Sequence, residues 1–228
     1  MTITHHLLPV EAGELPITMA RADGAGAALV IMPSAFGVGS DLEAQMGELA
    51  ADAGVVIAID PFFREDAGPA PYDAMARVMA RLRALDRERA HADLRAAIEW
   101  VRGRQESRQP VVVLGICFGG PSALLAAADG VADGVVTWHG SRMEHHLDRA
   151  AEMRCPMRLH FGGADPFVPK EAVEAVRTAF AGHGQVRIVV HEGATHGFSH
   201  RGAPAAYDEP AERAGMDSVR ELVRTAAR

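Results

Sequence analysis

The sequence predicts an α/β protein with a mostly parallel central sheet and helices on both faces of that sheet. Short apolar segments rich in β-branched residues recur along the chain, and such segments are typical of strands buried on both faces. Segments with helical spacing of apolar residues lie between them, which is the alternation that parallel sheets require. Of the 228 residues, 48% are hydrophobic and 23% are charged, so the composition is that of an ordinary globular protein.

Six apolar segments have the length and composition of buried strands. In chain order they are 28–32 (ALVIM), 55–59 (VVIAI), 111–115 (VVVLG), 134–138 (GVVTW), 157–161 (MRLHF) and 186–190 (VRIVV). The segment ELPITMA, residues 14–20, precedes them and predicts an antiparallel strand near the start of the chain.

Four longer segments have the apolar spacing of helices that cover a sheet. They are 41–52, 91–102, 169–181 and 209–227. The first of them places Leu42, Met46 and Leu49 on one face, which is therefore expected to pack on the sheet.

The chain is predicted to form one domain over residues 1–228, because its length fits one core and no repeat or linker divides it. The segment 61–89 interrupts the regular alternation of strands and helices. It begins with PFFREDAGPAPYDAM, which is rich in turn residues, and continues as an arginine-rich helical stretch. Insertions after strand ends carry substrate contacts in folds of this kind, so segment 61–89 is expected to contact the substrate.

Charge and composition argue against several classes of protein. The chain has 23 lysines and arginines against 30 aspartates and glutamates, and this net charge of −7 disfavours a nucleic-acid partner. The start, MTITHHLLPVEAGELPI, lacks the basic and apolar regions of a signal peptide, and no membrane span is predicted. With two cysteines, no disulfide framework is indicated, and a reduced cytoplasmic location is expected.

The segment VVVLGICFGGPSALLAAA, residues 111–128, changes from a strand pattern to a helix pattern at a cysteine. Gly115, Cys117 and Gly119 have the spacing of the nucleophile elbow G-x-S-x-G, with sulfur in place of oxygen. So sharp a turn leaves no room for β-carbons beside the nucleophile, which explains both glycines. The helix that follows points free N–H groups at the sulfur and lowers the pKa of the thiol, so Cys117 is predicted to be reactive.

Two other interpretations of this segment are open. A free cysteine is often a small buried apolar residue, which is how we interpret Cys155 before Pro156. Glycines between a strand and a helix also bind phosphate, which would make the chain a nucleotide-binding domain. The phosphate interpretation lacks its own markers, which are G-x-G-x-x-G or a lysine followed by serine or threonine.

A nucleophile of this kind needs a base and an orienting acid, in the chain order nucleophile, acid, base. Asp165 follows the strand 157–161, and His196 follows the strand 186–190. Both therefore belong to the carboxyl edge of the sheet, where Cys117 is expected. Taken alone, Asp165 fits a turn residue before proline, and His196 is one of eleven histidines.

A metal site is not predicted. His191 and Glu192 resemble the start of H-E-x-x-H, but the next histidine, His196, comes one residue late. Gly193 and Gly197 argue against the helix that this zinc motif requires. Neither a metal nor an organic cofactor is expected.

Several of these segments resemble the dienelactone hydrolase family, which consists of cysteine hydrolases of the α/β-hydrolase fold. GICFGG resembles the family's nucleophile elbow, GGADPFVP its aspartate loop and GATHGF its histidine loop. SAFGV, DPFFR and HADLRAAIEWVR are also similar, and the resemblance extends from about Ala27 to His200. It implies that Cys117 is the nucleophile, Asp165 the orienting acid and His196 the base.

The same resemblance implies an oxyanion hole, formed by the backbone N–H groups of Phe118 and Ala35, and a set of substrate-binding residues. Ser34 stands where the family has a glutamate that helps convert the resting thiol to thiolate when substrate arrives. The family holds its substrate's carboxylate with two arginines, one of which corresponds here to His200, with Arg201 next to it. The complete substrate-binding set implied is Ser34, Phe36, Arg77, Arg81, His139, His200 and Arg201, in which Arg77 and Arg81 are the two candidates for the other arginine.

The expected function is hydrolysis of a small ester or lactone through a Cys-His-Asp triad and a thioester acyl-enzyme. One alternative is a carboxylesterase or thioesterase that acts on a neutral acyl substrate. Another is a catalytically idle protein of the same fold that binds a small molecule. The expected partner is the small-molecule substrate, with no nucleic acid and no membrane, and the chain is expected to be a monomer or a homodimer.

Overall fold

The structure is a computed structural model, and it describes residues 2–23, 26–104 and 109–227. At its centre, eight strands of the described residues form one sheet. They are β1 (Thr2–Val10), β2 (Gly13–Arg21), β3 (Ala28–Met32), β4 (Val55–Ile59), β5 (Val111–Ile116), β6 (Gly134–Trp138), β7 (Met157–Gly162) and β8 (Val186–His191). Their order across the sheet is β1-β2-β4-β3-β5-β6-β7-β8.

The sheet is mostly parallel, as the sequence predicts. β3 pairs in parallel with β4 and β5, and the parallel pairing continues through β6, β7 and β8. β2 runs antiparallel to β4, which confirms the antiparallel strand predicted at 14–20. All residues of β3 to β7 are buried, because helices cover both faces of these strands.

The sequence does not predict β1, which pairs antiparallel with β2 over its whole length at the edge of the sheet. Its residues are exposed or half-buried, and His5, His6 and Pro9 interrupt its apolar character. An edge strand with one neighbour and little burial has no continuous apolar pattern, so its sequence does not stand out.

Helices of the described ranges cover both faces of the sheet. They are α1 (Ser40–Ala53), α2 (Met75–Ala84), α3 (Arg87–Gly103), α4 (Gly120–Ala128), α5 (Lys170–Ala179) and α6 (Glu209–Ala226). One core cluster joins α1 and α6 to the sheet, and a second joins α3, α4 and α5 to it. Leu42, Met46 and Leu49 of α1 are buried as predicted. Within those ranges, no helix has both the length and the apolar character that crossing a membrane needs.

The segment 61–89 forms a loop after β4, then α2 and the start of α3. Asp60 follows β4 and accepts the N–H groups of Phe62 at 3.0 Å and Gly68 at 2.7 Å, which closes the loop on itself. The Ala70 N–H donates to the Phe36 carbonyl at 2.8 Å. The loop therefore lies against the one that follows β3, at the carboxyl edge of the sheet.

Candidate active site

Cys117 lies at the turn between β5 and α4, and close packing requires the glycines beside it. Its backbone has a φ of 57°, in the left-handed region that strains a residue with a β-carbon. A β-carbon at Gly115 would overlap the Gly119 carbonyl, and one at Gly119 would lie 2.6 Å from the Met32 carbonyl oxygen. The turn is therefore as sharp as the G-x-C-x-G pattern predicts, and it presents Cys117 at the carboxyl end of β5.

The structure brings Cys117, His196 and Asp165 into one hydrogen-bonded chain. The Cys117 Sγ lies 3.0 Å from His196 Nε2, and His196 Nδ1 lies 2.7 Å from Asp165 Oδ2. The other carboxylate oxygen of Asp165 accepts the Phe167 N–H at 2.8 Å, which fixes the orientation of the carboxylate. The loops that carry Asp165 and His196 follow β7 and β8, which end at the same edge of the sheet as β5.

The charges of Cys117 and His196 depend on each other. Burial raises the pKa of the Cys117 thiol, but the charge of His196 and its hydrogen bond outweigh burial, so the pKa is lowered. Burial lowers the pKa of His196, but the Cys117 thiolate and the Asp165 carboxylate raise it to about 10. Both shifts act in the same direction, and each favours a thiolate–imidazolium pair over the neutral thiol and imidazole.

Two backbone N–H groups, those of Phe118 and Ala35, also help to lower the pKa of the Cys117 thiol. Phe118 lies in the 3-10 turn that leads into α4, and Ala35 lies in the loop after β3. Both residues are buried, so water competes little for these two donors. The donors stabilise negative charge beside the sulfur, where the oxyanion of an acyl-transfer reaction would form.

A cavity of about 320 Å³, termed the Ser34 cavity, lies beside this turn. Its wall includes Ser34, Phe36, Asp41, Tyr72, Ile116 and His200. Ile116 immediately precedes Cys117, so the cavity adjoins the turn that carries Cys117. The Tyr72 hydroxyl donates to Asp41 at 2.9 Å. The sequence does not single out Tyr72 or Asp41, because neither lies in a recognisable motif and the fold alone brings them together.

Ser34 and His200 form an uncharged hydrogen-bonded pair in the wall of the Ser34 cavity. The Ser34 Oγ lies 3.1 Å from His200 Nε2 and accepts the Phe36 N–H at 3.3 Å. Burial and the charge of His196 lower the pKa of His200 to about 4, so its ring is neutral near pH 7. The rings of Phe36, Tyr72 and His200 contact one another, with centroids 4.7–5.2 Å apart.

His139 is completely buried against the ring of His196. The two ring centroids are 4.8 Å apart, and His139 Nε2 lies 2.9 Å from Ser199 Oγ. Burial and the charge of His196 hold the pKa of His139 well below its usual range, so its ring is neutral. His139 does not line the Ser34 cavity, and its contacts are those of a residue that packs behind the His196 ring.

Arg77 and Arg201 are engaged by carboxylates outside the Ser34 cavity. Arg77 makes two hydrogen bonds of 2.7 Å to Asp66. Arg201 pairs with Glu48 and Glu212, at 2.6 Å in each case. Neither arginine lines the cavity. Their assignment as substrate-binding residues stays a prediction, and these contacts do not favour it.

Arg81 is buried against the loop that carries Ala35. Its guanidinium lies over the Phe62 ring, 4.0 Å from the ring centroid. It donates hydrogen bonds to the carbonyl groups of Ala35 at 3.3 Å, Gly68 at 2.9 Å and Asp66. A cation enclosed in this way anchors α2 to the loop after β3, and its substrate-binding role also stays a prediction.

Arg81→Ala is expected to destabilise the fold, because the carbonyl groups lose their donor and the packing on Phe62 is lost. The free energy of unfolding should fall by about 2–4 kcal/mol in a urea titration followed by circular dichroism. Arg83→Ala, at an exposed position of the same helix, should change it by less than about 0.5 kcal/mol. Unchanged stability of the Arg81 variant would contradict the anchoring role.

Cys117, His139 and His196 form a group of potential metal donors, whose donor atoms lie within 4.8 Å of one another. Two ligands of a tetrahedral zinc ion lie about 3.5 Å apart, given ordinary Zn–S and Zn–N bonds. Here Cys117 Sγ and His196 Nε2 are 3.0 Å apart, which is a hydrogen-bonding distance. A zinc ion bound here would therefore have to move Cys117 Sγ and His196 Nε2 further apart. It would also take the Cys117 sulfur as a ligand.

Comparison with known sequences relates this chain to a family. The model described as the Dienelactone hydrolase family matches residues 16–227. The carboxymethylenebutenolidase of Pseudomonas putida is 30% identical, over 75% of this chain and 74% of that protein. The carboxymethylenebutenolidase of Pseudomonas sp. (strain P51) is 28% identical, over 89% of this chain and 87% of that protein.

Solved structures share the fold. A dienelactone hydrolase-like promiscuous phosphotriesterase from metagenomic libraries has a TM-score of 0.79 at 21% identity, covering 97% of each chain. A dienelactone hydrolase from Anabaena variabilis ATCC 29413 has a TM-score of 0.67 at 18% identity, covering 97% of this chain and 94% of the other. The fold is therefore the expected α/β-hydrolase fold. Because the family match extends over residues 16–227, the chain belongs to the dienelactone hydrolase family.

Proposed function

We propose that the chain hydrolyses small carboxylic esters and lactones, with Cys117 as nucleophile, His196 as acid and base, and Asp165 as orienting acid. The observation that carries this proposal is the hydrogen-bonded chain from the Cys117 sulfur through His196 to Asp165. The relatives named carboxymethylenebutenolidase support a substrate of the ester or lactone class.

In the first half-reaction, the Cys117 thiolate attacks the carbonyl carbon, and a C–S bond forms while the carbonyl oxygen becomes an oxyanion. The N–H groups of Phe118 and Ala35 hydrogen-bond to that oxyanion, which is a large contribution in acyl transfer. The bond to the leaving oxygen then breaks, and His196 Nε2 gives its proton to the departing alkoxide. The step leaves an alcohol, a thioester on Cys117 and a neutral His196.

In the second half-reaction, His196 takes a proton from water while the water oxygen attacks the thioester carbonyl. The C–S bond breaks, the carboxylic acid departs, and the thiolate–imidazolium pair is restored. Asp165 accepts the Nδ1–H of His196 throughout, which keeps Nε2 directed at the reacting atoms. Ester and water thus become acid and alcohol through side chains and backbone groups of this chain.

The sulfur nucleophile restricts the substrates. A thiolate leaves a tetrahedral intermediate more readily than an alkoxide does, so a poor leaving group returns the intermediate to substrate. Activated esters, enol-lactones and thioesters should therefore be hydrolysed much faster than amides.

The test is a hydrolysis screen of activated esters, enol-lactones and thioesters, each with and without a carboxylate. Turnover is expected for at least one class, and rapid acid quenching should trap an acyl group on the Cys117 peptide, detected by mass spectrometry. Absence of turnover in the folded protein would refute the proposal and favour a protein that binds its ligand without hydrolysing it.

Ser34→Glu is expected to raise the pKa of the Cys117 thiol by about one unit, because two negative charges would repel each other. Ser34 is buried and adjoins Ala35, whose N–H reaches the sulfur, so a carboxylate there would lie close to the thiolate. The pH dependence of the reaction with iodoacetamide measures this pKa. In the unmodified protein, the value should lie below the free-thiol value of about 8.5.

Ser34→Gln is the matched control for this prediction, because it adds a side chain of the same size without charge. Protonation of His200 would offset part of the effect, so Ser34→Glu combined with His200→Gln should give the larger shift. Equal thiol pKa values in the Ser34→Glu and Ser34→Gln variants would contradict the electrostatic explanation.

A further inference from the structure

A second cavity, of about 430 Å³, lies at the start of α3 and α4 and is termed the Arg87 cavity. Its wall includes Leu85, Arg87, Phe118, Pro121, Arg142 and His146. Phe118 immediately follows Cys117, whereas the Ser34 cavity is lined by the residue that precedes Cys117. The residues on either side of Cys117 therefore line two different cavities, and the proposed mechanism gives no task to the Arg87 cavity.

Two arginines of this cavity have no acidic partner among the described residues. Arg87 begins α3, and Arg142 follows β6 by a short loop. No hydrogen bond or ion pair joins either guanidinium to another part of residues 2–23, 26–104 and 109–227. Other arginines of this region are paired, since Arg95 and Arg149 both contact Asp129. Two unpaired guanidinium groups on one cavity are complementary to an anion.

The charges of Arg87 and Arg142 act on each other and on the nucleophile. Both residues are exposed to solvent. Partial burial of its guanidinium and the charge of Arg142 lower the pKa of Arg87, and the Cys117 thiolate raises it. Glu88 lines the same cavity but forms no ion pair with either arginine in the described part of the chain. Like charges held near each other are unfavourable, and an anion placed between them would relieve their repulsion.

The backbone that presents Arg142 is strained and attached to the nucleophile turn. Its φ is 62°, in the left-handed region that is unfavourable for a residue with a β-carbon. The preceding residue, Ser141, donates its N–H to the Cys117 carbonyl at 3.1 Å. Strained conformations of this kind cluster where a side chain is positioned for function.

The Ser34 cavity has the opposite electrostatic character. Within the chain segments that the structure describes, Asp41 is the one acidic residue in its wall, and no lysine or arginine lines it. His200 is neutral there, because its pKa is lowered to about 4. An anionic group would be repelled from the Ser34 cavity and attracted to the Arg87 cavity.

We propose that Arg87 and Arg142 bind an anionic group of the substrate, a carboxylate or a phosphate monoester, beside Cys117. An uncharged part of the substrate occupies the Ser34 cavity, and the ester carbonyl lies between the two cavities. This inference rests on the proposed function, because it states which part of an ester each cavity holds.

The first test compares phenyl acetate with two anionic relatives, 4-acetoxybenzoate and 4-acetoxyphenyl phosphate, and with phenyl hydrogen succinate, which carries its carboxylate on the acyl side. In the Arg87→Ala/Arg142→Ala variant, kcat/KM for at least one anionic ester should fall about ten- to a hundredfold more than for phenyl acetate. A larger loss for the phosphate than for the carboxylates would identify a phosphate monoester as the preferred group, and the reverse would identify a carboxylate.

Arg83→Ala is the matched control, because it removes an exposed arginine of α2 outside both cavities. It should leave the ratio of anionic to neutral kcat/KM unchanged. Arg77→Ala tests the rival assignment, in which Arg77 leaves Asp66 to bind the anion. A selective loss in Arg77→Ala, without one in the Arg87→Ala/Arg142→Ala variant, would overturn the proposal.

The second test does not depend on turnover. Iodoacetate and iodoacetamide alkylate the same sulfur, but iodoacetate is an anion and iodoacetamide is neutral. The rate ratio of iodoacetate to iodoacetamide at Cys117 should fall about threefold or more in the Arg87→Ala/Arg142→Ala variant, and added salt should diminish this difference. An unchanged ratio would overturn the anion site even if ester hydrolysis is found, and a lowered ratio would support it even if no ester is hydrolysed.

Discussion

Cys117→Ala should lower kcat/KM at least about a thousandfold for every ester that the protein hydrolyses, with the fold intact. A methyl group cannot attack the carbonyl, so no thioester forms, and only binding and the two N–H donors remain to act on the substrate. Initial rates measure the loss, and circular dichroism with thermal unfolding shows that the variant is folded. Cys117→Ser should also be severely impaired, because a hydroxyl does not ionise beside His196 as a thiol does.

Cys155 supplies an internal control for this prediction. Burial raises the pKa of Cys155 to about 11, whereas the pKa of Cys117 is lowered. Iodoacetamide at neutral pH should therefore label Cys117 first, and activity should disappear in step with that label. Cys155→Ala should keep both the activity and the labelling rate. Wild-type activity in Cys117→Ala, or labelling of Cys155 before Cys117, would contradict the assignment of the nucleophile.

The strands of the sheet interior were predictable because helices cover both faces, so nearly every residue had to be apolar. β3 and β4 coincide with the predicted segments, and β5, β7 and β8 each extend one residue further. β1 escaped prediction because its hydrogen bonds to β2 hold it at an exposed edge, where alternating polar residues are tolerated. A strand is therefore predictable from sequence when its residues are buried. A strand that is held only by backbone hydrogen bonds at an exposed edge is not.

The placement of Cys117, Asp165 and His196 followed from a topological rule. Residues just after parallel strands meet at one edge of the sheet, so chain order and strand ends were sufficient to bring the three side chains together. The distances of 2.7 Å from His196 to Asp165 and 3.0 Å from His196 to Cys117 could not be predicted. They depend on loop conformations such as the left-handed turn at Cys117.

The partners of the arginines were not predictable in the same way. Arg77 and Arg81 lie in the inserted segment where substrate contacts were expected, but most of their partners come from the same segment, and the other, Ala35, is a backbone carbonyl. Asp66 engages Arg77, and backbone carbonyls engage Arg81. Arg87 and Arg142 are 55 positions apart in the chain, and no sequence pattern distinguishes them from paired arginines. The packing of the whole domain determines which guanidinium groups have no acidic partner.

Two of the departures from the family pattern that the sequence resemblance implies, Ser34 and His200, are hydrogen-bonded to each other. Both members of this pair are neutral near pH 7, so no carboxylate opposes the Cys117 thiolate there. This is the physical reason to expect a standing thiolate–imidazolium pair in the resting protein. It also removes positive charge from the Ser34 cavity, so a substrate anion would have to be held elsewhere.

Asp165→Asn is expected to lower kcat by roughly two orders of magnitude. The amide has the volume of the carboxylate, and its oxygen still accepts the Phe167 N–H, so its NH₂ group faces His196 Nδ1. That donor favours the neutral tautomer with the proton on Nε2, which cannot take a proton from water. Hydrolysis of the thioester should therefore suffer most, and rapid quenching should show more acylated Cys117 during turnover.

The Asp165→Asn variant should also narrow the pH range in which Cys117 is a thiolate and His196 an imidazolium, because both pKa values should change. The pKa of His196 should fall, because Asp165 is one of the groups that raise it to about 10. The pKa of Cys117 should rise, because a less stable imidazolium supports the thiolate less, and iodoacetamide rates against pH measure that rise. Asp208→Asn, at the N-cap of α6, is the matched control and should change neither pKa. An unchanged kcat with an unchanged pH profile would remove Asp165 from the site.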